Sequence, residues 1–145
     1  MQVPESPYPF HLSTPVQQRF NDLDSLGHVN NSTYMQYMDL GKIDYFSHVL
    51  GDLFTARRES LVIVNINCQF YHETRFGEPV AVLTRADSIG ERSIILEQRI
   101  VNPDTTQVKA TARVVMAGFN ISEDSGMPIP DAWRSAISAF EQRKF

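Results

Sequence analysis

Residues 30–48, NNSTYMQYMDLGKIDYFSH, limit the possible folds more than any other stretch of the chain. Tyr34, Met35, Tyr37, Met38, Ile43, Tyr45 and Phe46 spread over more than one narrow stripe of a helix, so other structure must wrap this helix on several sides. Asn30, Asn31 and Ser32 offer side-chain oxygens to the first free N–H groups, which puts the start near Asn30 or Asn31 and the end near His48. Gly41 sits mid-helix at a cost of roughly 1 kcal/mol relative to Ala. Close approach of the helix to a sheet would compensate.

The remainder of the chain supplies that sheet. Residues 10–20 predict a first strand, interrupted by Pro15, which points to a bulge or an edge position. In VIVNINCQF, Val62, Val64, Ile66, Cys68 and Phe70 alternate with Asn65, Asn67 and Gln69 at the strand period of two. PVAVLTRAD, RSIILEQRIV and TTQVKATARVVMAGFNI follow, each after a turn-like break, so short connections and mostly antiparallel pairing are expected. A last, short helix begins after Pro130 with Asp131 as its cap, carrying Trp133, Ile137 and Phe140 on one face. The fold class is therefore α+β: one curled, mostly antiparallel sheet of about five strands around one long helix, plus a short C-terminal helix. Such a sheet has edges to protect, and a second copy of the chain would cover them.

The 145 residues suit one domain, 1–145, with no internal repeat or linker. Apolar residues make up 42% and charged residues 21%, the profile of an ordinary globular protein. A formal charge of -4 argues against general nucleic-acid binding, which needs a basic surface. No apolar run is long enough for a membrane span, so no membrane insertion is expected. The start, MQVPESPYPFHL, lacks a basic stretch followed by an apolar one, and no secretion signal is expected. With Cys68 alone there is no intrachain disulfide, which fits a cytoplasmic location. Cys68 itself is expected to be a buried, inert thiol. The four histidines lack metal-ligand spacing, so neither metal nor cofactor is expected.

Between the first strand and the helix lies RFNDLDSLGHVNNSTYMQYMD, which gathers Asp22, Asp24, His28, Asn30 and Asn31 in one short loop. This stretch and the order of elements after it resemble the hotdog-fold thioesterases, in the 4-hydroxybenzoyl-CoA thioesterase-like acyl-CoA group. The resemblance covers roughly residues 10–120. It implies that Asp24, second of the Asp-x-Asp pair, is the catalytic carboxylate. It also implies that the backbone N–H of Asn31 polarises the thioester carbonyl, and that homodimers or homotetramers place the sites between subunits. HVNN followed by Tyr34 is similar to plant acyl-ACP thioesterases as well, but those carry an Asn where this chain has Leu26, which favours the acyl-CoA group.

The chemistry is consistent with this. Thioester hydrolysis needs attack at the acyl carbon, by a carboxylate or by a water it deprotonates. It also needs a place for the developing oxyanion, and the start of a helix, with free N–H groups and a partial positive charge, can provide one. His28 takes second place to Asp24, as a residue that orients the loop or holds the substrate carbonyl. Asn30 is expected to cap the helix or tie the loop, and Tyr34 to line the acyl pocket. Asp22 is expected to accept loop N–H bonds, and Asp39 is a reserve carboxylate on the helix. A carboxylate before a helix is, taken alone, more often a cap or turn former than a base. Arg57, Arg58, Arg75, Arg85 and Arg92 are candidate partners for coenzyme A phosphates. The expected activity is hydrolysis of an acyl-CoA thioester, with acyl-ACP hydrolysis and non-catalytic acyl binding by a dimer as the alternatives.

Overall fold

The computed structural model describes residues 1–54 and 58–145. Strand β1 (Leu12–Val16) leads through a 3-10 turn into helix α1 (Asn31–Leu50). Four long strands follow: β2 (Glu59–Phe70), β3 (Val80–Ile89), β4 (Ser93–Val101) and β5 (Val108–Asn120). A two-residue strand β6 (Ser125–Gly126) pairs with β5, and helix α2 (Asp131–Glu141) closes the chain.

All pairings are antiparallel, in the order β1-β3-β4-β5-β2. The expected edge position of the Pro15 strand is borne out: β1 is an outer strand, with Pro15 opposite Ala81. β2 does not pair with its sequence neighbour β3. Residues 71–79 carry the chain across, with the Tyr71 and His72 N–H groups bonding the Lys109 carbonyl, and leave β2 as the other edge.

The alternation expected along β2 holds only in its second half. A bulge between Ile63 and Asn65 adds one residue and flips the register. Ile66, Cys68 and Phe70 stand opposite Val114, Ala112 and Ala110, whereas beyond the bulge it is Ile63 and Leu61 that stand opposite Met116 and Gly118. Leu61 is therefore buried, and Val62 and Val64 are exposed.

Val82 and Thr84 of β3, Ile94, Leu96, Gln98 and Ile100 of β4, and Ala110, Ala112 and Val114 of β5 bury one face of the sheet beneath α1. The helix presses directly onto it at Gly41. A Cβ there would lie 2.6 Å from Val82 Cγ1, 2.9 Å from Thr84 Oγ1 and 3.0 Å from Gln98 Nε2, so only glycine fits. Gln98 Nε2 donates to the Met38 carbonyl at 2.9 Å and to Thr84 Oγ1 at 3.0 Å, tying helix to sheet at the same place.

α2 packs its Trp133 and Ile137 into the core. Its cap differs from expectation. Pro130 is the N-cap residue, its carbonyl accepting from Trp133 N–H at 3.0 Å, and Asp131 is the first helical residue with its carboxylate near the positive end. At the other end of α2, Glu141 Oε2 accepts from Tyr45 Oη at 2.6 Å and from Ala86 N–H at 2.7 Å, joining both helices to β3. The N-terminal segment crosses the outer face of the sheet, where Arg85 Nε donates to Ser6 Oγ and Arg99 donates to the Pro4 carbonyl.

Candidate active site

The loop between β1 and α1 folds as a small hairpin. Leu23 and Val29 pair across it, and Asp24 N–H donates to the His28 carbonyl at 2.8 Å. Gly27 makes the turn at φ 77°, a conformation that favours glycine. The returning arm is fixed to residues 74 and 75: Val29 N–H donates to the Thr74 carbonyl at 2.8 Å, and His28 bridges Arg75.

Asp22 anchors this hairpin to the helix. Its buried carboxylate accepts from Tyr37 Oη at 2.7 Å, from Arg19 N–H at 3.0 Å and from the Arg19 guanidinium at 3.0 and 3.2 Å. Burial alone would raise its pKa. The Tyr37 hydroxyl and the Arg19 donors outweigh burial and hold the carboxyl below its usual range. Its carbonyl accepts Asn30 N–H at 2.9 Å, which sets where α1 begins.

Asp24 lies further out and is half-buried. Oδ1 accepts from Leu26 N–H at 2.9 Å and His28 N–H at 3.3 Å, which fixes the carboxylate plane. Oδ2 has no protein partner among the described residues. One oxygen therefore orients the group and the other is open.

The start of α1 is equally specific. Asn30 is the N-cap, and its Oδ1 accepts from Ser32 N–H at 3.0 Å. The Asn30 carbonyl takes Thr33 N–H at 2.9 Å and Tyr34 N–H at 3.4 Å. Among the described residues, Asn31 N–H alone of these first-turn donors has no acceptor. It stands at the positive end of a 20-residue helix.

The hairpin brings Asp24 and His28 together through their backbones, while the half-buried His28 imidazole makes no hydrogen bond among the described residues. Tyr34 is buried, its hydroxyl 2.7 Å from Thr74 Oγ1 and its ring stacked on Phe70 at 5.9 Å, so it forms the floor of this corner. Asp39 lies outside the loop, on the exposed side of α1, paired with Lys42 at 3.0 Å. Cys68 is half-buried and burial raises its thiol pKa.

Of the arginines, Arg85 is buried on the outer face and bound to Asp87 at 2.9 Å, which removes it as a phosphate partner. Arg75 is exposed beside His28, Arg58 and Arg92 are exposed elsewhere, and Arg57 lies outside the described residues. Sequence reasoning missed Thr74 and the Tyr37 hydroxyl. Thr74 sits in a stretch without periodicity, and Tyr37 looks like any apolar residue of a buried helix, so neither carried a signal.

Residues 18–137 match the model of the thioesterase-like superfamily. The long-chain acyl-CoA thioesterase FadM of Escherichia coli K12 is 22% identical over 129 residues, spanning 87% of this chain and 96% of that protein. A thioesterase from Thermus thermophilus, solved with coenzyme A and Zn, superposes with a TM-score of 0.80 at 27% identity, covering 94% of this chain and 98% of that one. A 1,4-dihydroxy-2-naphthoyl-CoA thioesterase from Synechocystis shares the fold at a TM-score of 0.74 and 18% identity, over 86% and 93% of the two chains. A family match over most of the chain, including the loop and helix described above, makes this protein a member of the thioesterase-like superfamily.

Proposed function

We propose that this protein hydrolyses acyl-CoA thioesters to the free acid and coenzyme A, with Asp24 as the attacking or water-activating carboxylate and Asn31 N–H as the oxyanion donor. One observation carries the reading. The helix start leaves a single N–H without an acceptor among the described residues, and the preceding loop holds a carboxylate with one oxygen tied down and the other open. A free N–H at a helix start stabilises charge as it develops on the carbonyl oxygen and needs no reorganisation to do so. An immobilised carboxylate with a free oxygen can attack the acyl carbon or take a proton from water.

In this reading His28 positions the loop and borders the substrate, Asn30 builds the helix start, and Tyr34 supports the acyl side. Arg75, exposed and bridged to His28, is the arginine best placed to meet the phosphates. The relatives named above as acyl-CoA thioesterases support the choice of carrier. The free edge of β2, with Val62, Ile63 and Val64 exposed at 39%, 43% and 59%, supports a homo-oligomer paired through that strand. A cytoplasmic location fits the lone cysteine.

The test is release of free thiol from short, long and aromatic acyl-CoAs, and from the same acyl groups on acyl carrier protein. The reading expects turnover on the CoA carrier. Saturable acyl-CoA binding with no thiol released at long times would replace it with a binding protein.

A further inference from the structure

We propose that Lys109 is a positioning residue of the candidate site: its buried ammonium grips residues 71–79, and through Thr74 that segment holds the Asp24 hairpin against the start of α1. This rests on the acyl-CoA reading above and adds to it a residue that acts on Asp24 from a distance.

The grip begins with a break in the sheet. Ile100 and Val101 are consecutive in β4, yet they stand opposite Ala110 and Val108, so Lys109 is the extra residue of a bulge in β5. A bulged residue leaves the alternation of its strand and can be aimed elsewhere. Lys109 is aimed at the crossover between β2 and β3. Its carbonyl accepts Tyr71 N–H at 2.8 Å and His72 N–H at 3.2 Å. Its Nζ donates to the Glu73 carbonyl at 2.9 Å and to Gln107 Oε1 at 2.8 Å, and lies 2.8 Å from Glu78 Oε2. Lys109 is only 4% exposed, and a buried ammonium needs an acceptor for each of its three hydrogens. The crossover supplies two of them. Burial alone would raise the Glu78 pKa. The Lys109 ammonium and the Arg75 N–H outweigh burial and hold the carboxyl below its usual range, so Glu78 stays ionised at neutral pH.

The two gripped residues, Glu73 and Glu78, bracket the contacts that fix the returning arm of the hairpin. Glu78 Oε1 accepts from Arg75 N–H at 3.3 Å, and Arg75 bridges His28. Thr74 is fully buried; its carbonyl accepts Val29 N–H at 2.8 Å, and its Oγ1 is 2.7 Å from Tyr34 Oη. The other arm has its own anchor in Asp22 and Tyr37. With the returning arm loose, Asp24 would keep the Oδ1 bonds made inside the hairpin but lose its fixed place relative to Asn31 N–H. Lys42 provides the contrast. It is buried to the same 4%, but its carboxylate partner is Asp39 on α1, outside the loop.

The test measures amide hydrogen exchange at Val29 and Asp24, together with kcat and KM on an acyl-CoA that the wild type cleaves, in the wild type, Lys109→Met and Lys42→Met. Lys109→Met should speed exchange at both amides by about tenfold or more relative to the amides of β4. It should lower kcat by about 10- to 100-fold with KM held within about threefold. Lys42→Met should leave hairpin exchange near the wild-type rate. Wild-type hairpin exchange or wild-type kcat in Lys109→Met overturns the inference and leaves the hydrolase reading standing. So does equal acceleration by Lys42→Met, or exchange that rises uniformly over the whole fold. If Lys109→Met does not fold, Glu78→Gln, which keeps an oxygen for the ammonium, should speed the same two amides by about threefold or more, and no change there overturns the inference. If the wild type releases no thiol from any acyl-CoA, the hydrolase reading fails, and hairpin exchange alone decides whether Lys109 holds the loop.

Discussion

Gly41→Ala should destabilise the protein, against the usual direction for glycine in a helix. In an open helix the change is worth about 1 kcal/mol in favour of alanine. Here the new Cβ would stand 2.6 Å from Val82 Cγ1, where carbon atoms rest at about 3.5–4.0 Å. It would also meet Thr84 Oγ1 at 2.9 Å and Gln98 Nε2 at 3.0 Å. These neighbours cannot easily give way. Val82, Thr84 and Gln98 are fully buried in central strands, and Gln98 is committed to the Met38 carbonyl. Overpacking a core costs about 1–3 kcal/mol, and loosening the Gln98 bonds adds about 1 kcal/mol. Set against the helix gain, the net loss is about 1–3 kcal/mol. For a chain of this length that lowers Tm by about 3–8 °C. Urea unfolding followed by helical circular dichroism measures it directly. A variant as stable as the wild type, or more stable, would refute the claim that helix and sheet touch at residue 41.

Tyr37→Phe removes one of the donors that hold the Asp22 carboxyl low and should cost about 1.5–3 kcal/mol near neutral pH. Because the folded pKa lies below the unfolded one, Asp22 stabilises the fold above the ordinary carboxylate range, and this is lost as pH falls through the folded value. The variant should therefore acid-unfold at a higher pH than the wild type, as read by a pH titration of circular dichroism. Glu141→Ala leaves the buried Tyr45 hydroxyl and Ala86 N–H without an acceptor and should cost about 3 kcal/mol or more, whereas Glu141→Gln keeps an acceptor and should recover part of that in the same urea assay.

Elements with strong periodicity or punctuation were legible in the sequence. Asn30 marks the start of α1, Pro15 marks an edge strand, and Gly41 marks the contact of helix and sheet. The long-range features were not. Nothing local in residues 71–79 says that the chain crosses to the far side of β5, because pairing partners are chosen by the whole core. The bulge after Ile63 is likewise invisible, since Val62 and Val64 have the same apolar character as Leu61 and Ile63, and only the pairing with β5 decides that Leu61 is buried while the other three stay exposed. In the loop, residue types suggested the chemistry, while the division of labour came from hydrogen bonds. Asp22 has both its oxygens engaged, and Asp24 has one free. Arg85 shows the limit of reading charge from sequence, because it is buried against Asp87 on the wrong face.

The central claim is that the open oxygen of Asp24 carries out the hydrolysis. Asp24→Asn keeps an oxygen to accept the Leu26 and His28 N–H groups, so the loop should hold its shape. Thiol release from a saturating acyl-CoA that the wild type cleaves should then fall by about 10²- to 10⁴-fold in kcat, with the unfolding midpoint close to that of the wild type. Full wild-type turnover by Asp24→Asn would contradict the account.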